Sequence, residues 1–217
     1  PDFELPGDAD GDNVFEVGVL RTFASSATEL LNICVEVIDV NEAPIANMGG
    51  PYEIDFGQPL SVDASGTSDP DAGDGLTYDW DFGGDGSVEF SSPTPTAVIP
   101  NATFANLTGV GDNPLALTVT DLAGEFSTAS TTLTILPRFT FDIPGGAGAS
   151  DFTLVRDGAE GQLIDTENGI LFATFPADDI DELVINGSPD ANELTIDFSG
   201  GPLPASISFD GADPIGG

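Results

Sequence analysis

Leu76-Thr77-Tyr78-Asp79-Trp80-Asp81-Phe82-Gly83 is the most sharply alternating stretch of this 217-residue chain. Leu76, Tyr78, Trp80 and Phe82 fall on one face, and Thr77, Asp79 and Asp81 fall on the other. Period-two alternation of this kind belongs to a strand with one buried side. The pattern recurs outward in both directions. Towards the N-terminus lie Leu60 and Val62, then Tyr52, Ile54 and Phe56, then Ile33, Val35 and Val37, then Phe15, Val17 and Val19. Towards the C-terminus lie Leu115, Leu117 and Val119, then Leu133 and Ile135. Almost nothing reads as helix, because 27 Gly and 17 Pro interrupt the chain throughout. Short strands at this spacing predict an all-β fold, built as sandwiches or as a solenoid.

Breaks near Asn41–Pro44 and near Pro137–Arg138 divide the chain. They give a leading piece at 1–44, a central module at 45–137 and a trailing β-rich segment at 138–217. In the centre Trp80 is expected to be the buried anchor. A ligand-stacking platform is the rival role, but one Trp and two Tyr in the whole chain favour the core. The turns around it carry Asp69, Asp71, Asp74, Asp79, Asp81 and Asp85. Asp69-Pro70-Asp71 and Asp81–Asp85 can chelate a cation if the fold brings them together. They can equally cap turns by accepting backbone N–H groups.

The central module resembles a PKD domain, an immunoglobulin-like β-sandwich. The resemblance rests on Gly50-Pro51-Tyr52, on Val62-Asp63-Ala64-Ser65-Gly66-Thr67-Ser68-Asp69-Pro70-Asp71, on Tyr78-Asp79-Trp80-Asp81-Phe82-Gly83 and on Leu117-Thr118-Val119-Thr120-Asp121. It implies an extracellular spacer or interaction module.

The leading piece resembles the C-terminal half of a bacterial cadherin-like repeat. It carries Asp8, Asp10, Asp12 and Asn13 in a D-x-D-x-D-N loop, and Asp39, Asn41, Glu42 and Pro44 in a D-x-N-E-x-P linker. The resemblance implies Ca²⁺ held between successive domains by such linkers. Alternate Asp in one turn also suit a hard cation on chemical grounds. An EF-hand is excluded, since its sixth position would be Asn13 and its twelfth Val19. Two strands cannot form a sandwich core, so the rest of this repeat is expected upstream or on another chain.

The trailing segment repeats short strands at Leu183–Ile185, Leu194–Phe198 and Ile207–Phe209, spaced by 11–13 residues with Asp, Gly and Asn turns between. Asp190, Asn192, Asp210 and Asp213 sit in those turns. The segment resembles β-repeats of large surface proteins of planctomycete-like bacteria. Rungs of a β-solenoid and a second sandwich both fit it.

Composition narrows the chemistry. Net charge is −35, from 38 acidic residues against Arg21, Arg138 and Arg156, with no His and no Lys. His- and Lys-dependent catalysis, His-ligated zinc and nucleic-acid binding are excluded on that ground. Asp63 sits in Asp-Ala-Ser-Gly, which lacks the aspartic-protease spacing. Carboxylate pairs alone remain as acid and base, no motif marks one, and a non-enzyme is expected. Asp outnumbers Glu by 26 to 12, which suits divalent cations or a salt-adapted surface. Cys34 has no partner for an internal disulfide, and its alternation with Ile33 and Val35 sets it on the polar face. Asn101-Ala-Thr103 and Asn106-Leu-Thr108 fit the glycosylation sequon and are read as chance. No apolar run approaches the roughly 18 residues of a spanning helix, so no direct membrane insertion is expected.

These readings converge on a structural or adhesive segment of a longer, secreted or cell-surface bacterial protein, marine or salt-adapted. It is built from Ca²⁺-stiffened β-modules that associate with neighbouring domains or copies, as in a filament or surface layer. The alternative is a non-catalytic polysaccharide- or protein-binding accessory module of a secreted hydrolase.

Overall fold

The computed structural model describes residues 3, 5, 7, 10–71, 73, 75–143, 151–186, 193–204 and 206–210. The fold is all-β, with one four-residue helix among the described residues.

The chain opens with the antiparallel hairpin β1 (Val14–Thr22) and β2 (Thr28–Glu36). Its alternation places Phe15, Val17, Val19, Leu31, Ile33 and Val35 on one face, as register pairs Phe15–Val35, Val17–Ile33 and Val19–Leu31. Cys34 stands opposite Glu16 on the other face and is exposed. No residue of the hairpin's strands is buried among the described residues, in keeping with the expectation that two strands have no core of their own.

The central sandwich comprises β3 (Tyr52–Phe56), β4 (Leu60–Asp63), β5 (Thr77–Phe82), β6 (Phe90–Ser92), β7 (Thr96–Ile99), α1 (Asn101–Phe104), β8 (Gly111–Thr120) and β9 (Phe126–Asp142). The pair β4–β7 covers a larger sheet in which β6, β5, β8 and β9 are neighbours and β3 joins β9. Strand alternation decides which side chains enter the space between. Tyr78, Trp80 and Phe82 from β5 meet Leu115, Leu117 and Val119 from β8, Leu60 and Val62 from β4, and Ile99 from β7. Trp80 is fully buried, as expected. Phe104 of α1 stacks on Phe82 with ring centroids 4.7 Å apart.

The trailing segment adds β10 (Asp151–Asp157), β11 (Glu160–Asp165), β12 (Ile170–Pro176), β13 (Glu182–Asn186), β14 (Glu193–Asp197) and β15 (Ser206–Asp210). One sheet runs β12-β11-β10-β14, with β10 and β14 parallel. The other strands extend the large sheet, in which β9, β13 and β15 lie side by side and parallel. A second core of Phe152, Leu154, Leu163, Phe175, Ile180, Leu183 and Ile185 fills this region.

Strand β9 runs through both parts. One of its edges pairs with β8 along Phe126–Ile135 and then with β13 along Arg138–Asp142. Its other edge carries β3. Pro137 therefore lies inside a strand, where the reading from sequence set a break. It is tolerated because β3 skips it: Asp55 pairs with Leu136 and Phe56 with Phe139, which leaves Pro137 and Arg138 as a bulge. The Pro137 carbonyl accepts the Asp181 N–H at 2.8 Å. Phe56 packs against both cores, and its ring lies 6.4 Å from that of Phe139, which stacks on Phe175. Arg138 and Asp55 form an ion pair of 2.8 Å at the same junction.

Candidate metal centre

The linker from the hairpin lies against one end of the central sandwich. Asn41 Nδ2 donates to Asp121 Oδ2 at 2.8 Å, and the Glu42 N–H donates to Asp71 Oδ2 at 2.7 Å. Ile45 makes an antiparallel bridge with Ser68, and the Ala46 N–H donates to Ser127 Oγ at 2.8 Å. These contacts tie an otherwise extended segment to the loop at 64–71, to the turn that Asp121 opens and to the start of β9.

They also bring carboxylates together. One oxygen each of Asp39, Glu42 and Asp71 lie within 4.8 Å of one another. Asp39 and Glu42 are exposed and Asp71 is half-buried. Ca²⁺ holds oxygen ligands at about 2.3–2.6 Å, so two ligands of one ion stand no more than about 5 Å apart. The spacing of these three oxygens lies within that reach. Asp69, two residues before Asp71, is not part of that group. Its Oδ1 accepts the Asp71 N–H at 2.9 Å, while its Oδ2 is buried and receives no hydrogen bond among the described residues. A buried carboxylate oxygen without a donor is costly unless a cation faces it.

The other residues singled out from sequence have different surroundings. Asp8 and Asp74 lie outside the described residues, as do Asp190, Asn192 and Asp213. Asp12 Oδ1 accepts the Val14 N–H at 2.9 Å, closing the turn into β1. Asp10 and Asp12 are exposed, and neither is a member of the Asp39–Glu42–Asp71 group. Asn13 is buried in a left-handed conformation; its Nδ2 donates to the Phe3 carbonyl at 2.8 Å, and its Oδ1 has no donor among the described residues. Asp81 accepts the Gly84 N–H on Oδ1 and the Gly86 N–H on Oδ2. Asp85 accepts the Ser87 N–H, which holds its carboxyl below the usual carboxylate range. Asp81 and Asp85 thus organise their own Gly-rich turn and do not join the linker group.

Asp121 was not among the sequence candidates, yet it anchors the linker. It is buried, and its Oδ1 accepts the N–H groups of Gly124 and Glu125 at 2.6 and 2.9 Å. The hydrogen bond from Asn41 and these backbone donors hold its carboxyl below the usual carboxylate range. A carboxyl with a lowered folded-state pKa adds stability above its unfolded value, about 3.9, and that contribution fades as pH falls through the lower folded value. Acid is therefore expected to release the linker as pH drops below about 4. Asp121→Ala should release it at neutral pH, seen as faster proteolysis within residues 37–43 while the sandwich stays folded. An unchanged cleavage rate would show that Asn41–Asp121 does not hold the linker.

No curated protein matches the chain. Among solved structures it is similar to a carbohydrate-binding module of the β-sandwich superfamily, at 26% identity and a TM-score of 0.36, covering 53% of this chain and 40% of that one. It is similar to the PKD1 domain of Vibrio anguillarum Epp, at 26% identity and a TM-score of 0.32, covering 45% of this chain and 98% of that one. It is also similar to human CDH23 EC21-23, at 19% identity and a TM-score of 0.37, covering 70% of this chain and 61% of that one. The chain thus spans well under two thirds of the carbohydrate-binding structure it matches. The stretch that encloses the sandwich core, residues 41–135, matches the family model of the PKD domain.

Proposed function

We propose that this chain is a non-catalytic structural or adhesive segment of a secreted or cell-surface protein, in which Ca²⁺ locks the leading hairpin's linker onto the central sandwich. The observation that carries the reading is the meeting of Asp39 and Glu42 from the linker with Asp71 from the sandwich. In a chain of net charge −35 a cation among these carboxylates would offset their like charge. Binding ties two parts of the chain that are otherwise joined by a few hydrogen bonds. Neighbouring domains or copies of the same protein are the partners this role implies, with a filament or surface layer as its extended form. No described helix is long and apolar enough to cross a membrane.

Thermal melts in EDTA and in millimolar Ca²⁺ test the reading. A site filled at 100 times its dissociation constant adds about 2.7 kcal/mol. For a unit of this size that is a rise in Tm of several degrees. Mg²⁺ and NaCl should do much less, and Asp71→Asn should abolish most of the Ca²⁺-specific rise. An equal response to NaCl would mean that screening of a salt-adapted surface accounts for the whole effect, and the calcium assignment would fall.

A further inference from the structure

The trailing segment holds a repeat in space as well as in sequence. Arg138-Phe-Thr-Phe-Asp142, Glu182-Leu-Val-Ile-Asn186 and Ser206-Ile-Ser-Phe-Asp210 share apolar second and fourth positions, a polar first position and a final Asp or Asn, with Thr140, Val184 or Ser208 in the middle. They are the end of β9, then β13, then β15, paired in parallel at identical positions of the pattern. Glu182 pairs with Ser206, 24 positions further on. Between β13 and β15 the chain crosses to the facing sheet, where Glu193-Leu-Thr-Ile of β14 pairs in parallel with Asp151-Phe-Thr-Leu of β10, again in step. The path alternates between two sheets and advances by one strand on each return. The hairpin β11–β12 is an excursion on the β10 side of this path.

Burial falls along the repeat. Leu183 and Ile185 of β13 are 1% and 0% exposed, and Phe152 and Leu154 of β10 are both 0%. At the matching positions one step later, Ile207, Phe209 and Leu194 are half-buried and Ile196 is 36% exposed. The difference follows from neighbours: β13 and β10 have strands on both sides, whereas β15 and β14 end their sheets among the described residues. Among the described residues no strand pairs with their outer edges, and the apolar side chains beside those edges are less covered than those of β13 and β10.

We infer that β9–β15 form the coils of a two-sided β-solenoid, and that the end made by β15 and β14 is an interaction surface for a further coil. The partner is an extended polypeptide with the same polar first position, apolar second and fourth positions and final Asp or Asn, added in parallel to β15. Its apolar residues continue the Phe139–Leu183–Ile207 and Phe141–Ile185–Phe209 rows. The last position of the pattern sets the register, as Asn186 does when its Nδ2 donates to Asp142 Oδ1 at 2.7 Å. This inference does not depend on calcium.

The test is to insert a copy of residues 187–210 directly after Asp210 in the full chain. A control carries the same insertion with each apolar strand residue exchanged with its polar neighbour, which turns the apolar face outward. Hydrogen exchange at alternate amides of Ser206–Asp210 should slow by about tenfold or more with the faithful copy and stay unchanged in the control. The copy should also resist protease where the control is cut. Equal cleavage of both, with exchange in β15 unaltered, would overturn the proposal. Loss of protection in β13 with the faithful copy would overturn it equally, since a solenoid end takes another coil without disturbing the one beneath.

Discussion

Trp80→Ala is expected to cost about 3–5 kcal/mol, the range for emptying a fully packed aromatic site. Domains of this kind are stable by about 5–15 kcal/mol, so the substitution removes a large part of the total. The cost is high because Trp80 stands mid-strand in β5, paired across to Leu117 and Phe90, with the β4–β7 pair closing the core over it. None of these neighbours can fill the space without moving a strand. Urea unfolding followed by far-UV circular dichroism measures the loss, since the substitution removes the chain's single Trp as a fluorophore. A loss below about 1 kcal/mol would be incompatible with a buried anchor at this position.

Gly200→Ala is expected to be nearly as damaging, for a steric reason. A Cβ at Gly200 would lie 1.8 Å from the Arg156 carbonyl oxygen and 2.8 Å from its carbon. Both are backbone atoms of β10, so no side-chain rotation relieves the overlap. The turn at 198–201 would have to withdraw from β10. That movement would break the Arg156 Nη1 hydrogen bond to the Pro202 carbonyl, 2.8 Å long. The Arg156 side chain is 11% exposed, and its Nη2 is paired with Asp178 at 2.6 Å. A guanidinium this enclosed tolerates lost partners poorly. We expect a loss of about 3 kcal/mol or more, with faster hydrogen exchange concentrated in β10 and β14. Uniform exchange across the chain, with an unchanged midpoint, would refute the close approach.

The two variants probe elements of very different visibility. The face of β5 is plain in the sequence, because Tyr78, Trp80 and Phe82 alternate with Asp79 and Asp81 and each burial pattern is local. The passage of β9 through Pro137 is not. Proline lacks a donor and normally ends a central strand, and only the skipped pairing with β3 makes a place for it. β11 is hidden for a related reason. Gly161 supplies no side chain to an apolar alternation, yet it pairs with Arg156 and Phe175, and the Phe175 ring takes the space a Cβ would need. At the linker, Asp39, Glu42 and Asp71 were each legible as oxygen ligands. Their convergence was not, since Glu42 and Asp71 are 29 residues apart. Asp121 was hidden because Asp followed three residues later by Gly has the look of an ordinary turn. It is such a turn, and its second oxygen also holds Asn41.

The continuity of β9 bears on how the chain would answer a pull. Tension entering through the leading hairpin and leaving through the trailing strands must pass along Phe126–Asp142. There it meets hydrogen bonds to β8, β3 and β13 set across the direction of load, which share the strain and fail together. A peptide link between two separate domains would concentrate the same force at the first pair to open. The hairpin β1–β2, with no core of its own, would yield first, and the body from β3 to β15 would extend last.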